Sequence, residues 1–374
     1  MNIDLIKNDN CEGEQRFLFF KNTVGQEWLF PTKNISNFLS LYFPSSLKGR
    51  VVRFCLPFCI IFPFLRKMFG VHIENFSLSK ELQECIKDVF NVDSFEFAIF
   101  GGSPGKHQKF TLMIVKNNKC LGYCKVSDNG DVYSIFCKEA KELQILKDKG
   151  VEHIPNVLFY GALKTNLYCF VQTTERNCKS AHVANITDDV VFEFLDKVFN
   201  LTKEKIEYKR TDFYSALQRL RAKLDLLGHN KGLVYSAISS VESYLTKNDV
   251  DYCFYHGDFT PWNSFTINNH LFVFDFEYSQ RTCIGYLDFF HFFTQTCIYE
   301  GMDKNLIYEK YEKEKNWLLK KIPNADFVYI CYLLVVMEFY LTRDNGFLND
   351  KIKSCFDIWI FLLSQIFKKY EVFE

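Results

Sequence analysis

The sequence predicts an α+β protein of two lobes: a small antiparallel sheet with one helix, then a larger helical lobe, preceded by an N-terminal extension. Three observations predict it. Residues 93–175 alternate short β-like runs with one helix-patterned segment. Residues 176–374 are mostly helix-patterned, broken by a loop-and-strand insert at 252–277. Residues 1–92 follow neither pattern and hold four of the eight prolines, Pro31, Pro44, Pro57 and Pro63. The three regions define the expected division of the 374-residue chain: 1–92, 93–175 and 176–374.

In the middle region, SFEFAIF (94–100) is a strand and GGSPGKHQK (101–109) a Gly-rich turn. FTLMIV (110–115) is a second strand, paired with the first as a hairpin. Asn117–Asn118 turns the chain into a third strand, CLGYCKV (120–126). KEAKELQILKDKG (138–150) places Leu143, Ile145 and Leu146 ahead of a terminal Gly150, which suits a short helix with a glycine C-cap. NVLFYG (156–161) and LYCFVQ (167–172) close the sheet. Five apolar-periodic segments follow as core helices, at 190–201, 213–228, 232–245, 325–342 and 351–370.

Composition narrows the function. A chain that is 48% hydrophobic and 24% charged is not disordered, and 41 Phe and 20 Tyr supply ample core material. Lys+Arg and Asp+Glu both total 45, so no global field draws nucleic acid and no nucleic-acid partner is expected. The 14 cysteines form no CxxC, and neither close pair, Cys55/Cys59 or Cys120/Cys124, has histidines beside it. With a polar, acidic N-terminus, the expectation is free thiols in the cytoplasm. No apolar run reaches the ~20 residues that span a bilayer.

The densest chemistry lies in FYHGDFTPWNSF (254–265) and HLFVFDFEYS (270–279). Asp258 and Asn263 stand five apart in a loop turned by Gly257 and Pro261, and Asp275 ends the buried run LFVF. Two carboxylates and an amide from facing loops offer hard oxygen ligands, the set that Mg²⁺ on a nucleotide phosphate prefers. Asp258 is then free to accept a proton from an attacking hydroxyl. Upstream, the amides of Gly101, Gly102, Ser103 and Gly105 can approach phosphate oxygens. Lys125, in an otherwise uncharged strand, needs an anionic partner, which Glu139 or, one turn on, Glu142 could supply, with Glu139 preferred.

HGDFTPWN followed by FDFE resembles the signature of the aminoglycoside phosphotransferase/choline kinase superfamily, a branch of the protein-kinase-like fold. The resemblance spans residues 94–300. It implies an ATP- and Mg²⁺-dependent transfer of a γ-phosphoryl group to a hydroxyl, with Asp258 as base, Asn263 and Asp275 as metal ligands and Lys125 on the phosphates, steadied by Glu139. It places the adenine hinge at 167–175. The Gly turn departs from the kinase G-x-G-x-x-G spacing, which leaves open which amides meet the phosphates and whether Lys106 or Lys109 serves instead. The tryptophan in HGDFTPWN and the long extension are most like members associated with bacterial surface-polysaccharide biosynthesis, and imply a sugar or glycan acceptor. The alternatives are an aminoglycoside or choline-type kinase, or a nucleotide-binding pseudokinase scaffold.

Around this core, His256 is expected to brace the loop, Asp288 to cap or brace, and Trp262 to pack behind. Glu277 either tunes the metal or caps a turn. Residues 28–72 contain no acidic residue but carry Lys33, Lys48, Arg50, Arg53, Arg66 and Lys67 among aromatics. They either touch a membrane or glycolipid peripherally, at the inner face of the membrane, or pack on the small lobe.

Overall fold

The computed structural model describes residues 6–7 and 15–370, apart from 24, 45, 46, 103, 165, 178, 182, 184, 185, 323, 344, 345, 347 and 348. Eight strands form one sheet: β1 (Gln15–Lys21), β2 (Glu27–Pro31), β3 (His72–Phe76), β4 (Glu96–Phe100), β5 (Phe110–Lys116), β6 (Lys119–Ser127), β7 (Val157–Ala162) and β8 (Tyr168–Thr173). Their spatial order is β3-β1-β2-β4-β5-β6-β8-β7. Every neighbouring pair is antiparallel. Asn117 and Asn118, at φ 53° and 60°, make the two-residue turn between β5 and β6.

The first three strands come from residues that carry no clear periodicity. The reason is burial on both faces. In β1, Phe17 enters one apolar cluster and Leu18 the opposite one; in β5, Leu112 and Ile114 face one way and Met113 and Val115 the other. A strand buried on both sides reads as a continuous apolar run, not an alternation. Two helices from the same region supply the covers. On one face α1 (Leu47–Ile61) contributes Val52, Leu56 and Cys59. On the other α3 (Lys80–Phe90) contributes Leu82 and Ile86. Between them α2 (Pro63–Phe69) turns the chain back.

Helix α4 (Gly130–Asp148) starts eight residues before the expected 138, because Asn129 caps it by accepting the Asp131 N–H at 2.8 Å. It lies under the sheet, with Phe136 packed on Phe170 of β8 at a centroid distance of 5.7 Å.

The second lobe holds α5 (Asp189–Thr202), α6 (Asp212–Arg221), α7 (Lys231–Lys247), α8 (Leu287–Tyr299), α9 (Lys304–Lys321), α10 (Ala325–Arg343) and α11 (Asp350–Tyr370). The segment expected as one helix at 213–228 ends early and continues as 3-10 turns, with Gly228 at φ 55° inside them. Two helices lie outside the periodic segments. One, α8, is buried almost all round and so shows no stripe, and α9 presents only Ile307, Tyr311 and Leu318 to the core. Helix α10 is long and apolar enough to cross a membrane, but 78% of its apolar window is buried within the protein. Its one buried carboxylate, Glu338, pairs with Arg219 at 2.7 Å. Two short antiparallel two-stranded sheets sit where this lobe meets the large sheet. One pairs β9 (Tyr252–Tyr255) with β12 (Gln280–Ile284), and the other is the hairpin of β10 (Ser264–Ile267) and β11 (His270–Val273) enclosed between them in sequence.

Candidate active site

The loop from β9 to β10 is tied down before it reaches Asp258. The N–H groups of His256 and Gly257 donate to the two carboxylate oxygens of Asp288, at 2.8 and 3.2 Å. Asp288 sits in the first turn of α8, so it braces this loop. Burial pushes its carboxyl up to about 7, against the pull of those two N–H groups. Gly257 has φ 83°, and a Cβ there would lie 2.6 Å from the Tyr278 carbonyl, so only glycine lets the two site loops approach this closely.

His256 joins the loops. Its Nδ1 accepts the Asp258 N–H at 3.2 Å, and its Nε2 donates to the Phe274 carbonyl at 3.1 Å. That pattern requires a neutral ring, and burial lowers its pKa from 6.5 to about 4. Because the folded value is the lower one, His256 contributes stability above pH 6.5, and that contribution is lost as pH falls towards 4. The loss is on the order of 3 kcal/mol. His256→Gln keeps a donor and an acceptor but does not titrate. It is expected to flatten this limb of the stability profile, measured by denaturant unfolding between pH 7 and pH 4.5.

Beyond the brace, Asn263 donates from Nδ2 to Asp258 Oδ2 at 2.8 Å and to the Asp258 carbonyl at 3.0 Å. This turns the amide oxygen of Asn263 away from Asp258, as the atom able to meet a cation. The other carboxylate oxygen of Asp258 faces His291 Nε2 at 3.3 Å. Sequence reasoning passes over His291. The signal was its position three residues after Asp288, on the same side of α8. Trp262 packs on Tyr299, with centroids 4.9 Å apart.

A second group assembles from both lobes. Lys125 of β6 donates to both oxygens of Glu139 on α4, at 2.8 Å each, and to Asp275 Oδ1 at 2.5 Å. Asp275 adopts φ 71° just past β11. The Phe276 N–H donates to Glu139 Oε1 at 3.2 Å. Lys109 pairs with Glu277 and lies 3.7 Å from Asp275. Glu142, the alternative partner for Lys125, instead makes a two-point ion pair with Arg281. Burial alone would pull the Lys125 ammonium down, but the carboxylates of Asp275 and Glu139 override it and hold it above its ordinary value. Burial would likewise raise Asp275, but Lys109 and Lys125 hold it well below the usual carboxylate range. Glu139, Asp275 and Glu277 each place an oxygen within 4.8 Å of the others.

The Gly turn roofs this group. Gly102, at φ 67°, would bring a Cβ to 2.6 Å from the Lys109 carbonyl. Gly101 is turned inward, its N–H on the Glu27 carbonyl at 2.8 Å. Ser103 lies outside the described residues. A cleft of about 780 Å³ opens between the lobes, lined by Gly102, Gly105, Lys106 and Lys109 from the turn and by Asp275, Glu277 and Arg343 from below. Lys106 pairs with Asp131 at the rim, at 2.8 Å. The structure therefore brings the sequence-selected residues into two adjoining groups, Asp258 with Asn263, and Lys125 with Glu139 and Asp275. Both carboxylates, Asp258 and Asp275, act on the buried His256 ring.

No family model and no curated protein matches the sequence. Several solved structures are similar to it. A thermostable mutant of aminoglycoside phosphotransferase APH(4)-Ia, in ternary complex with ADP and hygromycin B, aligns at 12% identity over 76% of this chain and 98% of that one, with a TM-score of 0.49. The choline kinase LicA from Streptococcus pneumoniae aligns at 14% over 76% and 98%, with a TM-score of 0.48. A protein described as a fructosamine-3-kinase, from Haemophilus somnus, aligns at 12% over 77% and 97%, with a TM-score of 0.48.

Proposed function

We propose that this chain is an ATP-dependent phosphotransferase of the aminoglycoside phosphotransferase/choline kinase type, acting on a hydroxyl of a sugar or surface-glycan precursor. The observation that carries the reading is Lys125, gripped by a buried Glu139 and in contact with Asp275, beside an interlobe cleft. A strand lysine, a helix glutamate and a loop aspartate from separate elements meet where a nucleotide triphosphate would need them.

In this reading the Asp258 carboxylate, 33% exposed, orients the acceptor hydroxyl and takes its proton. Lys125 and Lys109 meet phosphate oxygens, and the amides of Gly102 and Gly105 cover them. Gly101, with its N–H already engaged, shapes the turn. The donor set fits Mg²⁺ by its chemistry, since Asp275, Glu277 and the Asn263 amide oxygen are all hard ligands. Two ammoniums, Lys109 and Lys125, face three carboxylates, Glu139, Asp275 and Glu277, which leaves one negative charge in excess for a cation arriving with the nucleotide. When bound, that ion would neutralise charge on the phosphates. This chain's residues supply positioning and a fixed electrostatic field.

The described cysteines are all free, which suits the reducing cytoplasm.

The test is a mass-spectrometric screen for the gain of one phosphate. Purified protein with Mg-ATP would be offered sugars, sugar nucleotides, lipid-linked glycans, choline and aminoglycosides. A phosphorylated sugar or glycan is the expected product. Nucleotide binding with no transfer and no ATP hydrolysis would make the chain a pseudokinase, and absence of nucleotide binding would overturn the reading.

A further inference from the structure

We infer that the α1–α2 hairpin seats this protein on an anionic lipid surface. Helix α1 is apolar on two sides. Val52, Leu56 and Cys59 bury one side against the sheet. Leu47, Val51, Phe54, Phe58 and Ile61 recur at helical spacing on another side and stay in solvent, Leu47 at 78%, Phe54 at 73% and Ile61 at 69% exposure. The apolar surface continues over Phe62, Phe64 and Met68 of the turn and α2. Of the seventeen exposed large apolar side chains among the described residues, nine fall between 43 and 68, so this is a patch rather than the scatter of an ordinary surface.

Charge selects the occupant. Lys48, Arg50 and Lys67 are exposed within the hairpin, Arg53 and Arg66 are half-buried, and no acidic residue lies between 28 and 73. Large apolar tips flanked by cations match the acyl boundary and the anionic headgroups of a bilayer. A second copy of the chain is a poorer fit, because a two-fold contact would bring the same cations face to face. The rest of segment 28–72 packs on the small lobe: Trp28 and Phe30 lie in β2, and Phe38 and Tyr42 are buried against it. One side of the segment thus packs on the small lobe, and the proposed lipid contact uses the other.

The hairpin is also connected to the site. Phe43, just before α1, stacks on Tyr299 at 6.5 Å, and Tyr299 packs on Trp262 in the loop between Asp258 and Asn263. Seating the hairpin therefore holds the mouth of that loop near the surface. The docking itself does not depend on the phosphotransferase reading.

The test is co-sedimentation of the full chain with phosphatidylcholine vesicles, with and without phosphatidylglycerol. Wild-type protein is expected to pellet with the anionic vesicles and to be released by salt. Phe54→Glu/Phe64→Glu should cut partitioning about tenfold or more, with an unchanged thermal midpoint because both side chains are exposed. Wild type left in the supernatant, or equal binding by the variant, overturns the inference. So does a dimer in sedimentation velocity without lipid that the same variant dissociates, which would assign the face to a second copy.

Discussion

Asp258→Asn is expected to lower turnover with Mg-ATP by about 10²–10⁴-fold while nucleotide affinity stays within a few-fold of wild type. The substitution is mild by geometry. The Asp258 N–H is held by His256 Nδ1, and the Asn263 amide donates to Oδ2 at 2.8 Å, a bond that an asparagine oxygen can still accept. The loop therefore keeps its path, and the unfolding free energy should change by less than about 1 kcal/mol. What is lost is the charge. A carboxamide cannot take the proton of an attacking hydroxyl or hold it by a charge-assisted hydrogen bond. His291, 3.3 Å from the other carboxylate oxygen, remains in place but faces a neutral group. Steady-state kinetics and nucleotide titration on the same preparation separate the two effects. A variant that keeps full turnover would remove Asp258 from the chemistry and with it the proposed mechanism.

The parts of this site that the sequence announces are those made by local geometry. Gly257 and Pro261 force a tight loop, and LFVF is long enough to be only a buried strand, so Asp258, Asn263 and Asp275 stand out before any coordinates. Lys125 stands out because an ammonium in a strand needs a partner. Choosing that partner is harder, because Glu139 and Glu142 lie one turn apart on the same face of α4. The choice is decided by Arg281, which lies 139 residues beyond Glu142 and occupies it. His291 joins the site from α8, three residues after Asp288, and Lys109, one of two lysines the Gly turn offered, is singled out by its contacts with Asp275 and Glu277 from the other lobe.

The same division holds for the fold. Strands β4, β5 and β6 are legible because their turns carry Gly and Asn where the backbone needs them. Strands β1 and β2 are not, because both of their faces are covered, by α1 and α3, and alternation vanishes. Helix α1 is hidden for a related reason. With one apolar side buried and another exposed, it has no polar face to set its phase.

Lys125→Met is expected to destabilise the fold by about 3–5 kcal/mol and to abolish nucleotide binding. Lys125 is 5% exposed and Glu139 is 0% exposed, so removing the ammonium leaves a buried carboxylate whose remaining close donor is the Phe276 N–H at 3.2 Å. The cost lies in that orphaned charge more than in the pair itself, since an ion pair taken wholly from water gains little net energy. Lys125→Met/Glu139→Leu should therefore recover most of the stability, because it removes the stranded group along with its partner. It should not recover nucleotide binding, which needs the positive charge over the phosphates. Asp275 gives an additional readout. Its carboxyl is held low by Lys109 and Lys125, so it contributes stability above the ordinary carboxylate range that is lost as pH falls. Without Lys125 that acid limb should weaken in both variants. Chemical unfolding of the single and double variants, paired with nucleotide titration, reads the two roles separately. If the double variant regained binding together with stability, Lys125 would be a structural lysine, and the phosphate-gripping role assigned to it would fall.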